Sequence, residues 1–203
     1  MNRAVLPSAI ANQRVIPVLR GLAPGRVGDV TGVLREAGMD VVEITMDSPN
    51  AVASIEATAA DGIVVGAGTV MSVADADAAV AAGAAFVVSP HTDFEVVSWA
   101  VERRIPMVPG AFTPTEVAAA WGAGVAAVKV FPASIAGPEF LSALRGPFGH
   151  LPLIPTGGIT ADNAASYLAA GAVAVGVGGW LTSQRDLSVI AERAAATIEA
   201  CRL

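Results

Sequence analysis

Lys129 is the one lysine in a chain of 203 residues that carries twelve basic residues. It lies in "GVAAVKVFPAS" (124–134), an apolar run with strand character where a solvated surface cation does not belong. An apolar pocket disfavours the ammonium form and makes the free amine available. A free amine attacks carbonyls to give a Schiff base, whereas an arginine stays protonated and cannot. A second interior charge occurs in "VVEITM" (41–46), where strand alternation puts Glu43 on one face with Val41 and Thr45. An amine and a carboxylate in one interior can do imine chemistry with general acid–base help. The competing reading is a structural ion pair that fills the core.

Further candidates fall where apolar runs end. "PTGGIT" and "VGVGG" place Thr156, Gly157, Gly158, Gly178 and Gly179 at the ends of two successive runs. Such glycines can cradle a phosphate on backbone N–H groups, or they can simply make tight turns. Arg20, at the end of "RVIPVLRG", is a candidate for binding a carboxylate or phosphate; a rim salt bridge is the alternative. Thr69 and the Ser89–Pro90 pair also stand at run ends. Phe131 is either a wall over the lysine or plain core. "VGAGTV" (65–70) lacks the spacing of a dinucleotide loop and an acidic residue about twenty positions on. His91 reads as a solvated loop histidine, and Trp99, Trp121 and Trp180 as packing. Asp75 and Asp77 read as an exposed helix face rather than a metal pair.

These positions need a frame that gathers run ends. Eight Val- and Ile-rich runs recur, at 14–21, 41–46, 63–69, 86–90, 106–111, 127–133, 153–158 and 173–179. Helical spacing fills 26–37, 49–60, 73–82, 92–103, 114–121, 138–145, 161–170 and 187–201. Ser72, Thr113 before Pro114, and Thr160 are start signals, and "EAGMD" and "LAAGAV" end helices on glycine. Eight such units, about 20 to 27 residues apart, predict a (β/α)8 TIM barrel in a single domain over 1–203. Residues 1–13 are expected to form a short N-terminal capping helix on the barrel floor. The second and sixth strands then lie opposite each other and can feed one interior layer, so Glu43 and Lys129 can meet over the axis. An open doubly wound sheet is the runner-up, but it usually carries one Gly-rich loop after its first strand.

Bulk properties exclude several functions. Hydrophobic residues make up 54% and charged residues 15%, which supports a large core. A net charge of −6 offers no basic face to nucleic acid or to an anionic membrane. Two histidines are too few for a His-based metal cluster, and Cys201 alone permits no internal disulfide. The weakly charged windows 117–138 and 163–184 are broken by glycine or proline and read as buried strands joined to Ala-rich helices, not membrane spans. Arg3 and "AIA" mimic a signal peptide loosely, but Pro7 and Ser8 break the apolar stretch. A cytoplasmic protein is expected.

Taken in order, "VEIT", "VGAGTV", "VSPH", "VPGAFTPTE", "VKVFPA", "GPFGHLPLIPTGGI" and "VGVGGWL" resemble the 2-keto-3-deoxy-6-phosphogluconate aldolase family, some members of which act as 4-hydroxy-2-oxoglutarate aldolases. The resemblance runs through nearly the whole chain. It implies a homotrimeric (β/α)8 barrel and a class I aldolase without metal or cofactor, acting on a phosphorylated keto acid. It implies Lys129 as the Schiff-base residue and Glu43 as the general acid–base. Thr69 and the Pro90 backbone would line the pyruvate pocket, with Phe131 near the imine. Thr156, Gly157, Gly158, Gly178 and Gly179 would take the phosphate end. One departure stands out: many members carry Arg four residues after the catalytic Glu, and here Asp47 occupies that place in "EITMDSPNA". Arg20 would then share the carboxylate with Thr69 and backbone donors. Sister enzymes for the galactonate epimer also lack that Arg, so that epimer and 4-hydroxy-2-oxoglutarate stay open as substrates. A sugar-phosphate isomerase or epimerase and a non-catalytic phosphate-binding barrel are the readings from other classes.

Overall fold

A computed structural model describes residues 3–202. Among the described residues nine short strands and ten helices follow one another, mostly in alternation. The strands are β1 Val15–Leu19, β2 Val41–Thr45, β3 Val64–Gly68, β4 Phe86–Val88, β5 Met107–Val108, β6 Gly110–Ala111, β7 Val128–Val130, β8 Leu153–Pro155 and β9 Val175–Val177. The helices are α1 Ser8–Gln13, α2 Pro24–Glu36, α3 Ala51–Ala60, α4 Val73–Ala81, α5 Phe94–Glu102, α6 Pro114–Gly122, α7 Ala133–Phe148, α8 Ala161–Ala169, α9 Gly179–Thr182 and α10 Leu187–Cys201.

The result is an α/β fold built on a curled, wholly parallel sheet. Its hydrogen bonds form two runs, β5-β4-β3-β2-β1-β9 and β6-β7-β8. The sequence predicts one ring of eight; the ladder instead breaks between β5 and β6. The cause is Pro109, which has no N–H to donate. Its carbonyl still accepts the Lys129 N–H at 2.9 Å. At the far edge Thr156 bridges Gly176 in parallel, and Val173 N–H reaches the Leu153 carbonyl at 3.0 Å.

Strand alternation sorts the core into two clusters. Val42, Ile44, Val87, Val128, Val130 and Leu153 face the helices. Ile16, Val41, Phe86, Val88, Val108, Ile154 and Ala174 pack on the opposite, concave face. Ile10 of α1 joins that inner cluster, so the short N-terminal helix closes one end of it; residues 1 and 2 lie outside the described residues. Lys129 alternates with Val128 and Val130, and Glu43 with Val42 and Ile44, so both charges point into the concave side.

Helix starts follow the expected caps. The Ser72 hydroxyl accepts the Asp75 N–H, and Thr113 forms a capping box with Glu116 ahead of α6. The Asn163 side chain accepts the Thr160 N–H at 2.9 Å before α8. Two elements differ from expectation. Helix α7 begins at Ala133 rather than 138, because a first turn precedes a kink at Gly137, whose φ is +73°. The four-residue helix α9 follows β9, where the sequence predicts only a turn. Among the described residues no helix is long and apolar enough to cross a membrane.

Candidate active site

Lys129 is the middle residue of β7 and is 5% exposed; Glu43 is the middle residue of β2 and is 3% exposed. Lys129 Nζ lies 4.0 Å from Glu43 Oε1. That is an ion pair but too long for a hydrogen bond. Oε1 is buried and no protein group hydrogen-bonds it. The room for this carboxylate comes from β3: a Cβ at Gly68 would lie 2.0 Å from Oε1. Glycine is therefore needed in the middle of the site, where the sequence "VGAGTV" offers it.

Phe131 follows β7 and stands half-exposed, its ring centroid 5.4 Å from Lys129 Nζ. The same ring packs on the turn after β8. There Gly157 and Gly158 have φ of +97° and +76°, a conformation that side-chain-bearing residues resist. The backbone behind Phe131 is held as well: the buried Tyr167 hydroxyl donates to the Ala133 carbonyl at 2.9 Å. Burial, and then the nearby Glu139 charge, push the Tyr167 hydroxyl above its ordinary pKa, so it stays a donor.

A cleft of about 230 Å³ opens over the lysine. It brings together Arg20, Lys129, Phe131, Thr156, Gly157, Gly158, Gly178 and Gly179. Glu43 does not line it and meets it only through Lys129, 4.0 Å away. Thr69 reaches it through Arg20, whose Nη2 donates to Thr69 Oγ1 at 2.8 Å. Pro90 is placed differently. It lines a neighbouring cleft of about 400 Å³ with His91, Thr92, Phe94 and Phe112, and the two clefts share only Phe131. The turn carrying Pro90 is fixed by Ser89 Oγ donating to the His91 carbonyl at 2.6 Å and Thr92 Oγ1 to the Gly110 carbonyl at 3.0 Å. Glu116, on the rim of that second cleft, is held below the ordinary carboxylate range by the Phe112 and Thr113 N–H groups.

Three participants escaped sequence reading. Trp180 and Thr160 line the lysine's cleft. Trp180 belongs to α9, and the Arg193 side chain holds its carbonyl, with the guanidinium carbon 4.8 Å from the indole centroid. The third is Asp47, which the sequence marks only as a wrong charge for a carboxylate site. In the structure its Oδ2 accepts from Arg20 Nη1 at 2.7 Å. The signal that could have found it is complementarity: a carboxylate after β2 beside an arginine after the adjoining β1.

Among the described residues no group of three or more His, Cys, Asp or Glu is arranged to hold a metal ion. Asp77 instead accepts the Trp99 indole N–H at 2.9 Å. Cys201 is buried, and burial pushes its thiol up to about 11, against a smaller opposing pull from Arg14. The chemistry available in the cleft is therefore that of an enclosed amine, a neighbouring carboxylate, an arginine at the mouth and a glycine-lined far wall.

Known proteins are similar to this chain over nearly its full length. A sequence profile of the KDPG and KHG aldolases matches residues 6–201. The chain is 36% identical over 205 residues to a probable 2-dehydro-3-deoxy-6-phosphogalactonate aldolase of Rhizobium meliloti, covering 98% of this chain and 96% of the relative. It is 36% identical over 186 residues to a 2-dehydro-3-deoxy-phosphogluconate aldolase of Treponema pallidum, covering 89% and 87%. The crystal structure of a KDPG aldolase from Legionella pneumophila, with pyruvate captured as a covalent carbinolamine, superposes with a TM-score of 0.82 at 29% identity, covering 96% and 95% of the two chains.

Proposed function

We propose, from the premise that the chain belongs to the KDPG and KHG aldolase family, that it is a class I aldolase cleaving 2-keto-3-deoxy-6-phosphogluconate to pyruvate and glyceraldehyde 3-phosphate. The observation that carries this reading is the buried Lys129–Glu43 pair, 4.0 Å apart, with no protein group hydrogen-bonded to one carboxylate oxygen. The Legionella relative's captured pyruvate supports covalent chemistry of this kind.

In the proposed reaction the Lys129 amine adds to the C2 ketone, and loss of water gives a protonated imine. That imine is an electron sink. Glu43 takes the C4 hydroxyl proton, directly or through a water. The C3–C4 bond breaks, its electron pair forms the enamine, and glyceraldehyde 3-phosphate leaves. Glu43 returns the proton to C3, and hydrolysis of the imine releases pyruvate and restores Lys129. The reaction runs on the protein's own amine and calls for no metal or cofactor. Arg20 and Thr69 would hold the substrate carboxylate, with Phe131 packed against the imine carbon chain. The glycines at 157, 158, 178 and 179, with Thr156, would take the phosphate end. Pro90 would contribute from the neighbouring turn across Phe131.

The 6-phosphogalactonate epimer is the second reading, favoured by the Rhizobium relative that matches 98% of the chain. 4-Hydroxy-2-oxoglutarate is a third substrate of the same chemistry. For the architecture, we take the two strand runs to close into one (β/α)8 barrel domain. Pro109 alone separates β5 from β6, and the Thr156–Gly176 bridge spans the other seam. A cytoplasmic homotrimer completes the proposal. The test is pyruvate release from each of the three acids under matched conditions. Highest kcat/KM on the gluconate epimer is expected. A higher value on the galactonate epimer would transfer the assignment, and turnover of none would overturn it.

A further inference from the structure

Arg20 at the mouth of the cleft is held by two side chains, not one. Its Nη1 donates to Asp47 Oδ2 at 2.7 Å and its Nη2 to Thr69 Oγ1 at 2.8 Å. Asp47 itself is set by the chain around it. Ser48 Oγ accepts the Gly21 N–H at 2.8 Å and lies 2.9 Å from Thr45 Oγ1, which ties the loop after β2 to the loop after β1. Thr69 has a φ of +54°, an uncommon value for a β-branched residue and a strained one.

Stability does not account for this arrangement. The Arg20 and Asp47 side chains are 54% and 46% exposed, and ion pairs so exposed add little to stability. Ordering the long Arg20 side chain there also costs entropy. What the arrangement does achieve is orientation. A guanidinium has five N–H donors in a rigid plane. With Asp47 and Thr69 engaging two of them, the plane is fixed and the remaining donors can meet a carboxylate at the cleft that holds Lys129.

We propose that Asp47 is a positioning residue, which holds the Arg20 guanidinium against Thr69 in the orientation that receives the carboxylate of a 2-keto acid bound at Lys129. This deepens the aldolase reading and rests on it. The opposite role is also physically definite: an anion beside Arg20 could merely compete with the ligand's carboxylate. The two roles predict opposite signs. Loss of a positioning group weakens carboxylate binding, and loss of a competitor strengthens it.

The experiment measures borohydride-trapped pyruvate adduct against pyruvate concentration in wild type, Asp47→Ala and Asp47→Asn. Imine trapping with acetone, which offers the ketone without the carboxylate, is the control. For Asp47→Ala the half-saturating pyruvate concentration should rise about tenfold, the loss of one charge-assisted contact. Asp47→Asn keeps an acceptor oxygen for Arg20 and should return within about twofold of wild type. Acetone trapping should not change in either variant, which a general loss of structure would not allow. If Asp47→Ala does not fold, Asp47→Ser, too short to reach Arg20, reads the same quantity. An unchanged or lowered half-saturation in the Ala or Ser variant would overturn the positioning role while leaving the aldolase reading intact. No adduct in wild type would overturn the aldolase reading and this inference with it.

Discussion

Replacing Lys129 with methionine should strand Glu43 as an uncompensated charge on the concave face of the sheet. At 4.0 Å and an effective dielectric of about 20, the pair's attraction is about 4 kcal/mol. The two side chains are only 6% and 4% exposed, so salt screens little of that attraction. Removing one partner of a buried pair costs about 3–5 kcal/mol. In a chain of this length a 4 kcal/mol loss lowers Tm by about 8–16 °C. The assay is urea unfolding followed by far-UV circular dichroism, run beside Lys129→Met/Glu43→Met. The double variant replaces both charges with unbranched apolar chains and should return to within about 1 kcal/mol of wild type, or exceed it. Both variants should be inactive. A double variant as unstable as the single one would refute the reasoning, because the pair would then be held for stability rather than chemistry. So would a Lys129→Met variant within about 1 kcal/mol of wild type, since the enclosure argued for Glu43 would be absent.

Three further outcomes follow from individual contacts. Gly68→Ala puts a methyl group 2.0 Å from Glu43 Oε1; kcat should fall at least about 100-fold while pyruvate still traps on Lys129, as kinetics and trapping on one preparation would reveal. Cys201 is 2% exposed with its thiol raised to about 11, so iodoacetamide at pH 8 should modify it only on unfolding; rapid labelling of native protein would contradict its enclosure. Glu116 has its folded-state pKa lowered by the Phe112 and Thr113 N–H groups, so its stabilising effect is present above the ordinary carboxylate range and is lost as pH falls through the lowered value. Melting curves of wild type and Glu116→Gln should therefore differ most near neutrality and converge in acid.

The parts of the site that violated local expectation were legible in the sequence. Lys129 and Glu43 are charges inside apolar strand runs, and period-two alternation alone assigns them to the face away from the helices. Capping signals at Ser72 and Thr113 marked helix starts because each hydroxyl accepts an orphan N–H, and the signal at Thr160 did so because Asn163 accepts its N–H. The rim salt bridge weighed for Arg20 was legible, but its partner Asp47 was not named, because it lies 27 residues away and an exposed ion pair follows no periodicity. The break at Pro109 was hidden because "PMVPGA" reads as one run, and only a ladder reveals which N–H groups are missing. The first turn of α7 and the whole of α9 were missed because each is a single turn beside glycine, too short for a 3.6-residue period to register.

The most direct measurement is intact mass and peptide mapping after incubation with pyruvate and borohydride. A single reduced pyruvyl adduct mapped to Lys129, and absent from Lys129→Arg, is the predicted result. Folded wild-type protein with no adduct, or a Lys129→Arg variant that still cleaves the keto acid at a comparable rate, would contradict covalent catalysis by this lysine.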